Sequence, residues 1–472
     1  MPIQSQRVRE ALVTTVLVGA TFLVSLDLFI VNVAFDEIGH DLAGGSASLA
    51  DLSWVLTTYA VVYAALLVPM GRLTDRYGRK SGFIAGLVVF TLASAACGFA
   101  GSVWQLVGFR ALQAIGAAAL TPASLGLLLA ALPEARRAPA ARLWALAGAV
   151  AAALGPAVGG GLVQISWQWA FWINLPVGVA LIVGAATLVP DVRHNAGAPR
   201  PDLAGAALIA IAAGALVLGI VEGNDWGWTS SRVLLSFALA VTAAGAFAWR
   251  TTHHAAPVID PALLRVRTFR WANAATLLFN LGFGANLLAG ILWMQQVWDY
   301  SALRTGFAVA LGPVFVPLTA IIAGRIAPRA RPGRLVVIGS TLAAVGALVM
   351  VASISSTPSY WTTVAPGWAI TGIAVGLALP NLVAGATASL PVTQVSTGSG
   401  VVTMSRQIGQ VLGVSLLVCV IGATTDPVPA FRHAWLLVAV ASALAAVAAV
   451  GMEARTRPTT AQAEKVGRPT IV

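Results

Sequence analysis

Gly71-Arg-Leu-Thr-Asp-Arg-Tyr-Gly-Arg-Lys80 is a short charged stretch between two long apolar segments of this 472-residue chain. A degenerate copy stands much later, at Gly324-Arg-Ile-Ala-Pro-Arg-Ala-Arg-Pro-Gly-Arg334. Both copies begin with Gly-Arg, carry Arg at the sixth position and have a second Gly-Arg at or next to the end, but Pro328 stands where the first copy has Asp75. One motif in two corresponding hydrophilic loops predicts a duplicated membrane protein.

The composition supports that prediction. Hydrophobic residues make up 58% of the chain and charged residues 10%, and the mean hydropathy is +0.85. These values exclude an ordinary soluble globule. Apolar segments of about 18 to 25 residues recur along the chain, and each is long enough to cross a hydrocarbon core of roughly 30 Å. We therefore predict an all-α polytopic membrane protein with about fourteen spans.

The net charge of +11 could suggest a nucleic-acid partner, but the positions of the basic residues argue against one. If the N-terminus is cytoplasmic and the spans alternate, inner loops and tails hold 23 of the 28 Lys and Arg residues. Arg232, Arg304 and Arg432 fall outside, and Arg110 and Arg406 lie within spans. This is the positive-inside pattern with both termini cytoplasmic. The basic charge thus reflects topology, and no nucleic-acid partner is expected.

No motif predicts a cofactor, a metal or an enzymatic activity. Cys97 and Cys419 both lie inside predicted spans, which favours neither a disulfide framework nor a metal site. The chain also lacks the Gly-x-x-x-x-Gly-Lys-(Ser/Thr) run of ATP-binding loops. Energy for any transport is therefore expected to come from an ion gradient.

The two charged loops predict the domain organisation. The first loop follows predicted span 2 and the second follows predicted span 10, so spans 1–6 would correspond to spans 9–14. This alignment predicts two six-helix bundles, a pseudo-repeat, with an inserted pair of transmembrane helices between them. An alternative is that the second loop is simply an Arg-rich inner loop. The predicted boundaries are 1–190 for the first bundle, 191–270 for the inserted pair with its inner linkers, 271–452 for the second bundle and 453–472 for a cytoplasmic tail.

Asp27 is the main candidate for energy coupling because it lies deep in span 1. A carboxylate at that depth is costly unless it faces a partner or a wet cavity, and such residues are usually functional. Arg110 in span 4 lies at a similar depth, so the two can pair directly or through Gln113. A static pair that only fixes helix packing is the alternative. No Asp or Glu occurs from Ser301 to Thr425, which leaves Asp27 as the one good mid-membrane carboxylate.

Span 5 carries a stripe of small residues. Gly148, Ala152, Pro156 and Gly160 are four residues apart and share one helix face, which allows a neighbouring helix to approach closely. Pro156 also interrupts the backbone hydrogen-bond ladder and permits bending there. Generic close packing in a membrane protein rich in Gly and Ala would produce the same pattern.

Several polar and aromatic residues inside spans are candidates for lining a central cavity that is mainly apolar. For each of them a packing or lipid-facing role remains equally open. These residues are Asn32, Tyr59, Tyr63, Gln113, Asn280, Asn286, Trp293, Gln295, Trp368, Asn381, Arg406, Gln407 and Gln410.

These motifs resemble those of the major facilitator superfamily, and more closely its fourteen-span drug:proton antiporters. Gly71–Lys80 is similar to motif A of that superfamily, and Leu106–Ala117 resembles motif B around Arg110. Gly155–Gly160 resembles motif C, the antiporter motif, although Ala151 stands at the position of its earlier Gly. Leu26–Ala34 resembles the span-1 motif of the fourteen-span group, with Phe29 where Thr is usual.

The resemblance implies two bundles around a central site that opens alternately to each side. It implies that Asp75 helps to latch the inner gate, that Arg110 promotes proton exchange and that motif C seals the packing between the bundles. The implied gate residues are Gly71, Asp75, Arg76, Gly78 and Arg79, and the implied packing residues are Gly148, Gly155, Pro156, Gly159 and Gly160.

We therefore predict a proton-coupled secondary active exporter, an antiporter of amphipathic, often cationic drugs or toxic compounds. Asp27 would bind either a proton or the substrate cation. Expected partners are a small-molecule substrate, protons and the lipid bilayer of a bacterial cytoplasmic (inner) membrane, with the monomer as the active unit. One alternative is a dedicated exporter of a single metabolite or self-made antibiotic. A more distant one is a proton-coupled importer of small organic anions that uses Arg110 and Arg406.

Overall fold

The structure, a computed structural model, describes residues 2–43, 48–191, 200–326, 331–388, 390, 394–424 and 426–453. Pro328 of the second charged loop and the tail from residue 454 onward lie outside these residues. Every regular element of the described residues is a helix, which confirms the all-α prediction. The long helices are α1 (Pro2–Val33), α2 (Leu49–Tyr77), α3 (Arg79–Cys97), α4 (Val103–Ala131), α5 (Glu134–Val163), α6 (Asn174–Leu188), α7 (Leu203–Val221), α8 (Ser231–His253), α9 (Arg267–Leu292), α10 (Ala302–Ile326), α11 (Pro332–Ser353), α12 (Ala365–Thr387), α13 (Val395–Gly422) and α14 (Pro427–Val450).

Shorter helices connect some of these spans. They cover Phe35–Ala43, Trp169–Trp172, Gly223–Trp226, Pro261–Arg265 and Tyr360–Thr363, and Trp293–Val297 continues α9 as a π-helical turn. Below, "inner end" means the end of the molecule that carries Gly71–Lys80, and "outer end" means the opposite end.

The helices have the length and composition that a bilayer requires. Among the described residues, 13 helices are long and apolar enough to cross a membrane, and a bent pair within α5 makes up to 14. The two parts of that pair, Pro139–Ala152 and Leu154–Val163, meet at an angle of 42°. Pro156 explains the bend, because it cannot donate a hydrogen bond to the carbonyl of Ala152 and its ring crowds that carbonyl. The count agrees with the predicted fourteen spans.

Helix contacts within the two halves follow one pattern. In the first half α1 packs on α4, α5 and α6, α2 packs on α4, and α3 packs on α4 and α6. The second half repeats these contacts with each helix number raised by eight: α9 packs on α12, α13 and α14, α10 on α12, and α11 on α12 and α14. The structure therefore contains two six-helix bundles related as a pseudo-repeat, as the sequence predicts. The exact domain boundaries remain predictions.

Two symmetric contacts join the bundles. Helix α5 packs on α10, and α13 packs on α2, so each contact pairs the second helix of one bundle with the fifth helix of the other. The inserted helices α7 and α8 pack on each other, and α7 also packs on both α2 and α13. Val217 and Val221 of α7 are buried in a small cluster with residues of those two helices. The inserted pair thus covers one of the two joints.

The buried apolar clusters differ between the two ends of the molecule. At the outer end one cluster contains residues of both bundles, including Ile30 of α1, Leu292 of α9 and the π-helical Trp293. Towards the inner end the first bundle has a cluster of its own, built around residues such as Phe83 and Leu127. The bundles therefore share a core at the outer end. At the inner end the first bundle has a core of its own, and its α2 also joins the core of the second bundle through Ala64, Ala65 and Val68.

Candidate functional site

Asp27 lies at the centre of a hydrogen-bonded network inside the first bundle. Its Oδ2 accepts a hydrogen bond from Arg110 Nη1 at 2.5 Å. Its Oδ1 accepts one from Gln113 Nε2 at 2.8 Å and one from Asn174 Nδ2 at 2.9 Å. Asp27, Arg110, Gln113 and Asn174 are all fully buried. Buried charges are retained when they are paired and hydrogen-bonded in this way, so the pairing expected from depth is made both directly and through Gln113.

The Arg110 guanidinium has further polar and aromatic contacts, including the Phe171 ring at 5.8 Å. Its Nη1 also donates to Gln113 Oε1 at 2.6 Å, and its Nε donates to the carbonyl of Val55 on α2 at 3.3 Å. The Tyr59 ring lies over the guanidinium, with 4.1 Å between Arg110 Cζ and the ring centroid. A cation over an aromatic face in a desolvated site is attracted by the ring quadrupole. Tyr59, expected as a possible cavity residue, therefore covers one face of the Arg110 guanidinium.

Two polar atoms of the network keep unused hydrogen-bonding capacity. Arg110 Nη2 and Asn174 Oδ1 are buried without a hydrogen-bond partner among the residues that the structure describes. Ser94 of α3 accepts from Asn174 Nδ2 at 3.0 Å and donates to the Phe171 carbonyl at 2.9 Å. The network thus contains side chains from α1, α3, α4 and α6. Arg110 Nη2 is its unused donor and Asn174 Oδ1 its unused acceptor.

A separate cavity of about 50 Å³ lies between the bundles. It is much smaller than the roughly 300–1,000 Å³ of typical ligand pockets. Asn32 is part of its lining, as the sequence suggested, whereas Asp27 is not. Helices α1, α2, α9 and α13 supply the lining residues, which are Leu28, Phe29, Asn32, Leu56, Thr57, Ala60, Gly284, Leu287, Gln410, Val411 and Val414.

Arg406 of α13 is exposed and forms no ion pair with any residue in the described part of the chain. It is close enough to Tyr63 of α2 for the two groups to interact electrostatically. The Tyr63 ring stacks on Tyr59, with centroids 6.1 Å apart, and its hydroxyl donates to Thr121 Oγ1 at 3.3 Å. Tyr63 thus contacts the Tyr59 ring of the first bundle's network and lies near the exposed cation of the second bundle.

The charged loop at the inner end forms contacts within the first bundle and with the linker after α8. Asp75 Oδ1 accepts from Arg79 Nε at 2.6 Å, and Arg79 Nη1 donates to the Gly126 carbonyl of α4 at 3.3 Å. Arg72 Nη1 donates to the carbonyl of Ala256 at 2.8 Å. The stretch predicted as a hydrophilic loop is helical except at Gly78: Asp75 lies in the last turns of α2, and its ion-pair partner Arg79 begins α3. The latch expected from the resemblance remains a prediction.

The glycines of this loop have distinct local roles. Gly78 has a φ of 122°, a value that L side chains rarely adopt, and it joins α2 directly to α3. A Cβ on Gly71 would lie 3.3 Å from Pro122 Cβ on α4. Arg76 lies over the neighbouring Tyr77 ring, with 5.6 Å from Cζ to the centroid.

The small residues of α5 face two different helices. Gly155 and Gly159 face α1: a Cβ on Gly155 would lie 2.6 Å from Phe29 Cβ, and one on Gly159 would lie 2.9 Å from the Ile30 carbonyl. Gly160 lies against Ala302 of α10.

Two further positions of α5 show how the stripe divides. The Pro156 carbonyl lies against Gly306 of α10, whereas Gly148 only makes ordinary contact with Ser25 of α1, at 3.4 Å from a Cβ placed there. The predicted stripe therefore turns from α1 to α10 along its length, and its outer part forms the contact between the bundles.

Three other predicted cavity residues lie elsewhere in the second bundle. Trp293 is fully buried and packs edge-on against Phe431 and Trp435. Trp368 donates from Nε1 to the Val309 carbonyl at 2.7 Å, and Asn381 Nδ2 donates to the Leu377 carbonyl of its own helix at 2.8 Å. None of the three lines the cavity described above.

Asn174 and Ser94 were missed by sequence reasoning. Asn174 begins α6 after a Trp-rich turn, and Ser94 lies in the outer half of α3. The available signal was weak: each is one polar side chain inside an apolar segment, and small polar residues are common in packed membrane helices. Their part in the network depends on the rotation of α3 and α6.

Comparisons with known proteins support the reading of the fold. The family model described as Major Facilitator Superfamily matches residues 17–414 and 273–472. The methylenomycin A resistance protein of Streptomyces coelicolor is 32% identical over 87% of this chain and 86% of that protein. The multidrug resistance protein Stp of Mycobacterium tuberculosis is 31% identical over 88% of this chain and 76% of that protein.

A solved structure agrees in fold. The crystal structure of a POT family transporter in complex with a thioalcohol-conjugated peptide superimposes with a TM-score of 0.69 at 14% identity, covering 94% of this chain and 96% of that one. At so low an identity the likeness concerns the fold alone. Together with the family match, it shows that the chain is a multi-pass membrane protein belonging to the Major Facilitator Superfamily, a family of transporters.

Proposed function

We propose that this protein is a proton-coupled exporter that moves amphipathic small molecules out of a bacterial cytoplasm by alternating access. The relatives named for methylenomycin A resistance and multidrug resistance support export of toxic compounds. A relative in Streptomyces coelicolor named as a probable actinorhodin transporter adds to that support, at 32% identity over 85% of this chain. In the proposal the protein acts as a monomer in the cytoplasmic membrane, with both termini in the cytoplasm.

The observation that carries the proton-coupled part is the enclosure of Asp27. It is the only acid inside the described part of the first bundle's membrane-spanning core, and its three hydrogen-bond donors come from Arg110, Gln113 and Asn174. A carboxyl group can gain and lose a proton, whereas a guanidinium keeps its charge. Protonation of Asp27 would leave Arg110 without its counter-charge and so would change the energy of the whole network.

The same enclosure separates proton binding from substrate binding in this conformation. Asp27 is fully buried within the first bundle, and the cavity between the bundles is lined on α1 by Leu28, Phe29 and Asn32 instead. Coupling then runs through the packing of α1, α2 and α4, because Tyr59 of α2 lies over Arg110 and stacks on Tyr63. From the sequence, proton and substrate were expected to compete directly for Asp27. In this arrangement they bind at separate places and affect each other through the helices between them.

The arrangement of the cores supports alternating access. The bundles share a large apolar cluster at the outer end, whereas towards the inner end the first bundle has its own cluster and meets the second bundle's cluster only through residues of α2 such as Val68. Opening the outer end would require separating α5 from α10, where Gly160 and Pro156 lie against Ala302 and Gly306. Close backbone contact of this kind can part and re-form as two rigid bundles rock about a site between them.

The Asp27→Asn variant tests this proposal. Asparagine keeps the side-chain shape but cannot carry a proton on and off, so we expect proton-linked efflux to be lost. Inverted membrane vesicles with an imposed pH gradient would report it: each added compound of a fluorescent panel should dissipate the gradient with the wild-type protein and not with Asp27→Asn. The control is Asp225→Asn, which removes an exposed acid and should leave coupling unchanged. Full proton-linked efflux by Asp27→Asn would contradict the proposal.

A dedicated exporter of one antibiotic is the second candidate. It is favoured by the relative named after a single compound, methylenomycin A. Resistance profiling of a sensitive host separates the two: a multidrug exporter protects against several unrelated compounds, whereas a dedicated exporter protects against one.

A further inference from the structure

Arg406 lies deep in the membrane part of the second bundle. It is 11 residues from the first residue of α13, Val395, so at about 1.5 Å per residue it lies about 16 Å into the helix, near the bilayer midplane. A charged side chain at that depth is costly, and such residues pair with an opposite charge or face a wet pathway. Arg406 is exposed, so it faces open space or lipid.

The helical position of Arg406 places it towards the space between the bundles. Residues four apart share a helix face, and Gln410 and Val414, one and two turns beyond Arg406, both line the cavity between the bundles. Arg406 is also near enough to Tyr63, on α2 of the opposite bundle, for the two groups to interact electrostatically, which agrees with this direction. Arg406 therefore lies on the inner-end side of the cavity wall.

No acid balances this charge in the described part of the chain. The ion pairs there do not include Arg406, and the sequence has no Asp or Glu from Ser301 to Thr425. Asp27, the acid expected to attract cationic substrates, is fully buried and already paired with Arg110. A positive charge without an ion-pair partner among the described residues thus lies one helical turn from Gln410 of the cavity wall.

The neighbouring groups suit a negatively charged ligand. Gln410 has no hydrogen bond to another described residue, and its amide can donate one helical turn from the guanidinium. The Tyr63 hydroxyl already donates its hydrogen bond to Thr121, so it is not counted as a donor to the ligand. Most of the remaining lining is apolar, including Leu28, Leu56 and Val414.

We propose that Arg406 and Gln410 bind an anionic group, such as a carboxylate, of an amphipathic substrate whose apolar body lies against the cavity wall of α1 and α2. This substrate class deepens, and rests on, the exporter function proposed above. It differs from the often cationic substrates expected from the sequence. A guanidinium binds carboxylates through two parallel hydrogen bonds, which lysine cannot reproduce.

Binding measurements on the purified full-length protein in nanodiscs test this substrate class. The probes are naphthylacetate, naphthylacetamide and naphthylethylammonium, which share a ring system and differ in charge. We expect the wild-type protein to bind the anion about tenfold or more tightly than the amide or the ammonium compound, as one charge-assisted pair predicts. The Arg406→Gln variant should lose that preference, and Arg406→Lys should keep only part of it. Arg304→Gln, which removes an outer-end arginine that lies over Tyr300, should keep it fully.

Equal or tighter binding of the amide or the ammonium compound by the wild-type protein would overturn the inference. A preference for the anion that survives Arg406→Gln, or the absence of anion binding, would also overturn it. The vesicle assay keeps the two proposals separate. Anion binding without proton-linked efflux would contradict the proposed exporter function but support the anion site. Proton-linked efflux of the ammonium compound alone would support the exporter function but contradict the anion site.

Discussion

Asp27 shows at the residue scale how this protein holds a carboxylate inside a membrane span. Its two oxygens accept three hydrogen bonds from Arg110, Gln113 and Asn174. Removing one partner of a buried ion pair typically costs about 3–5 kcal/mol, because the other charge is left uncompensated. The network is therefore a place where a single proton can change the relative stability of two arrangements of α1 and α4.

Tyr59 offers a residue-scale test of that network. Its ring lies over Arg110, but its hydroxyl is buried without a hydrogen-bond partner among the described residues. Tyr59→Phe should therefore change the free energy of unfolding by less than about 1 kcal/mol. Tyr59→Leu removes the aromatic face and should destabilise the protein by about 2 kcal/mol or more. Thermal unfolding in detergent measures both, and an equal effect of the two variants would contradict the cation–π role.

Helix α5 shows at the element scale how small side chains join the bundles. Its two segments meet at 42°, and its outer segment places Gly160 against Ala302 of α10. Backbone contact of this kind has no room for a Cβ, so it can form only with glycine at that position. The outer segment therefore packs between two helices: Gly155 and Gly159 lie against α1, and Pro156 and Gly160 lie against α10.

Gly160→Ala and Gly161→Ala form a matched pair that tests this contact. A Cβ on Gly160 would clash with the Ala302 backbone, whereas one on Gly161 would lie 3.8 Å from Leu303 Cδ1, an ordinary contact. We expect Gly160→Ala to weaken the contact between α5 and α10 at the outer end. Vesicles with this variant should then leak protons in the absence of substrate, and efflux should fall. Gly161→Ala should behave like the wild-type protein. Passive proton conductance of proteoliposomes is the measurement, and tight vesicles with Gly160→Ala would contradict the sealing role.

At the scale of the whole molecule, the inserted helices α7 and α8 lie outside the two bundles, at one of the places where the bundles meet. Helix α7 covers α2 and α13 where the bundles meet, with Val217 and Val221 buried there. Asp202 at the start of α7 pairs with Arg250 near the end of α8 at 2.6 Å, and this pair ties the two helices together. The bundles themselves make their contacts without them.

Deleting residues 203–253 and rejoining the chain should therefore leave both bundles folded but lower the Tm. The apolar surface of α2 and α13 under Val217 would lose protein neighbours, although lipid can replace part of that contact. Far-ultraviolet circular dichroism during heating measures helix content and Tm together. A Tm equal to that of the intact protein would show that the pair does not stabilise the joint, and loss of helix content at low temperature would show that the bundles need it.

The sequence by itself determined the number of spans, the pseudo-repeat and the position of the inserted pair. These features follow from local windows of hydrophobicity and from the two copies of one loop motif, and hydrophobic length is a property that each segment has alone. Equal depth along two helices also predicted that Asp27 and Arg110 could meet. The family resemblance added the expected role of Gly155–Gly160, whose outer part does lie between the bundles.

Only the tertiary structure decided which polar groups share a site. Asn174 and Ser94 join Asp27 because α3 and α6 rotate those faces inward, and nothing local in an apolar segment specifies that rotation. Tertiary packing also decides which charged side chains are exposed. Asp27 is fully buried inside one bundle, whereas Arg406 is exposed beside the cavity. Helix packing sets these orientations through contacts between distant segments, so no local stretch of sequence specifies which charges lie near the cavity.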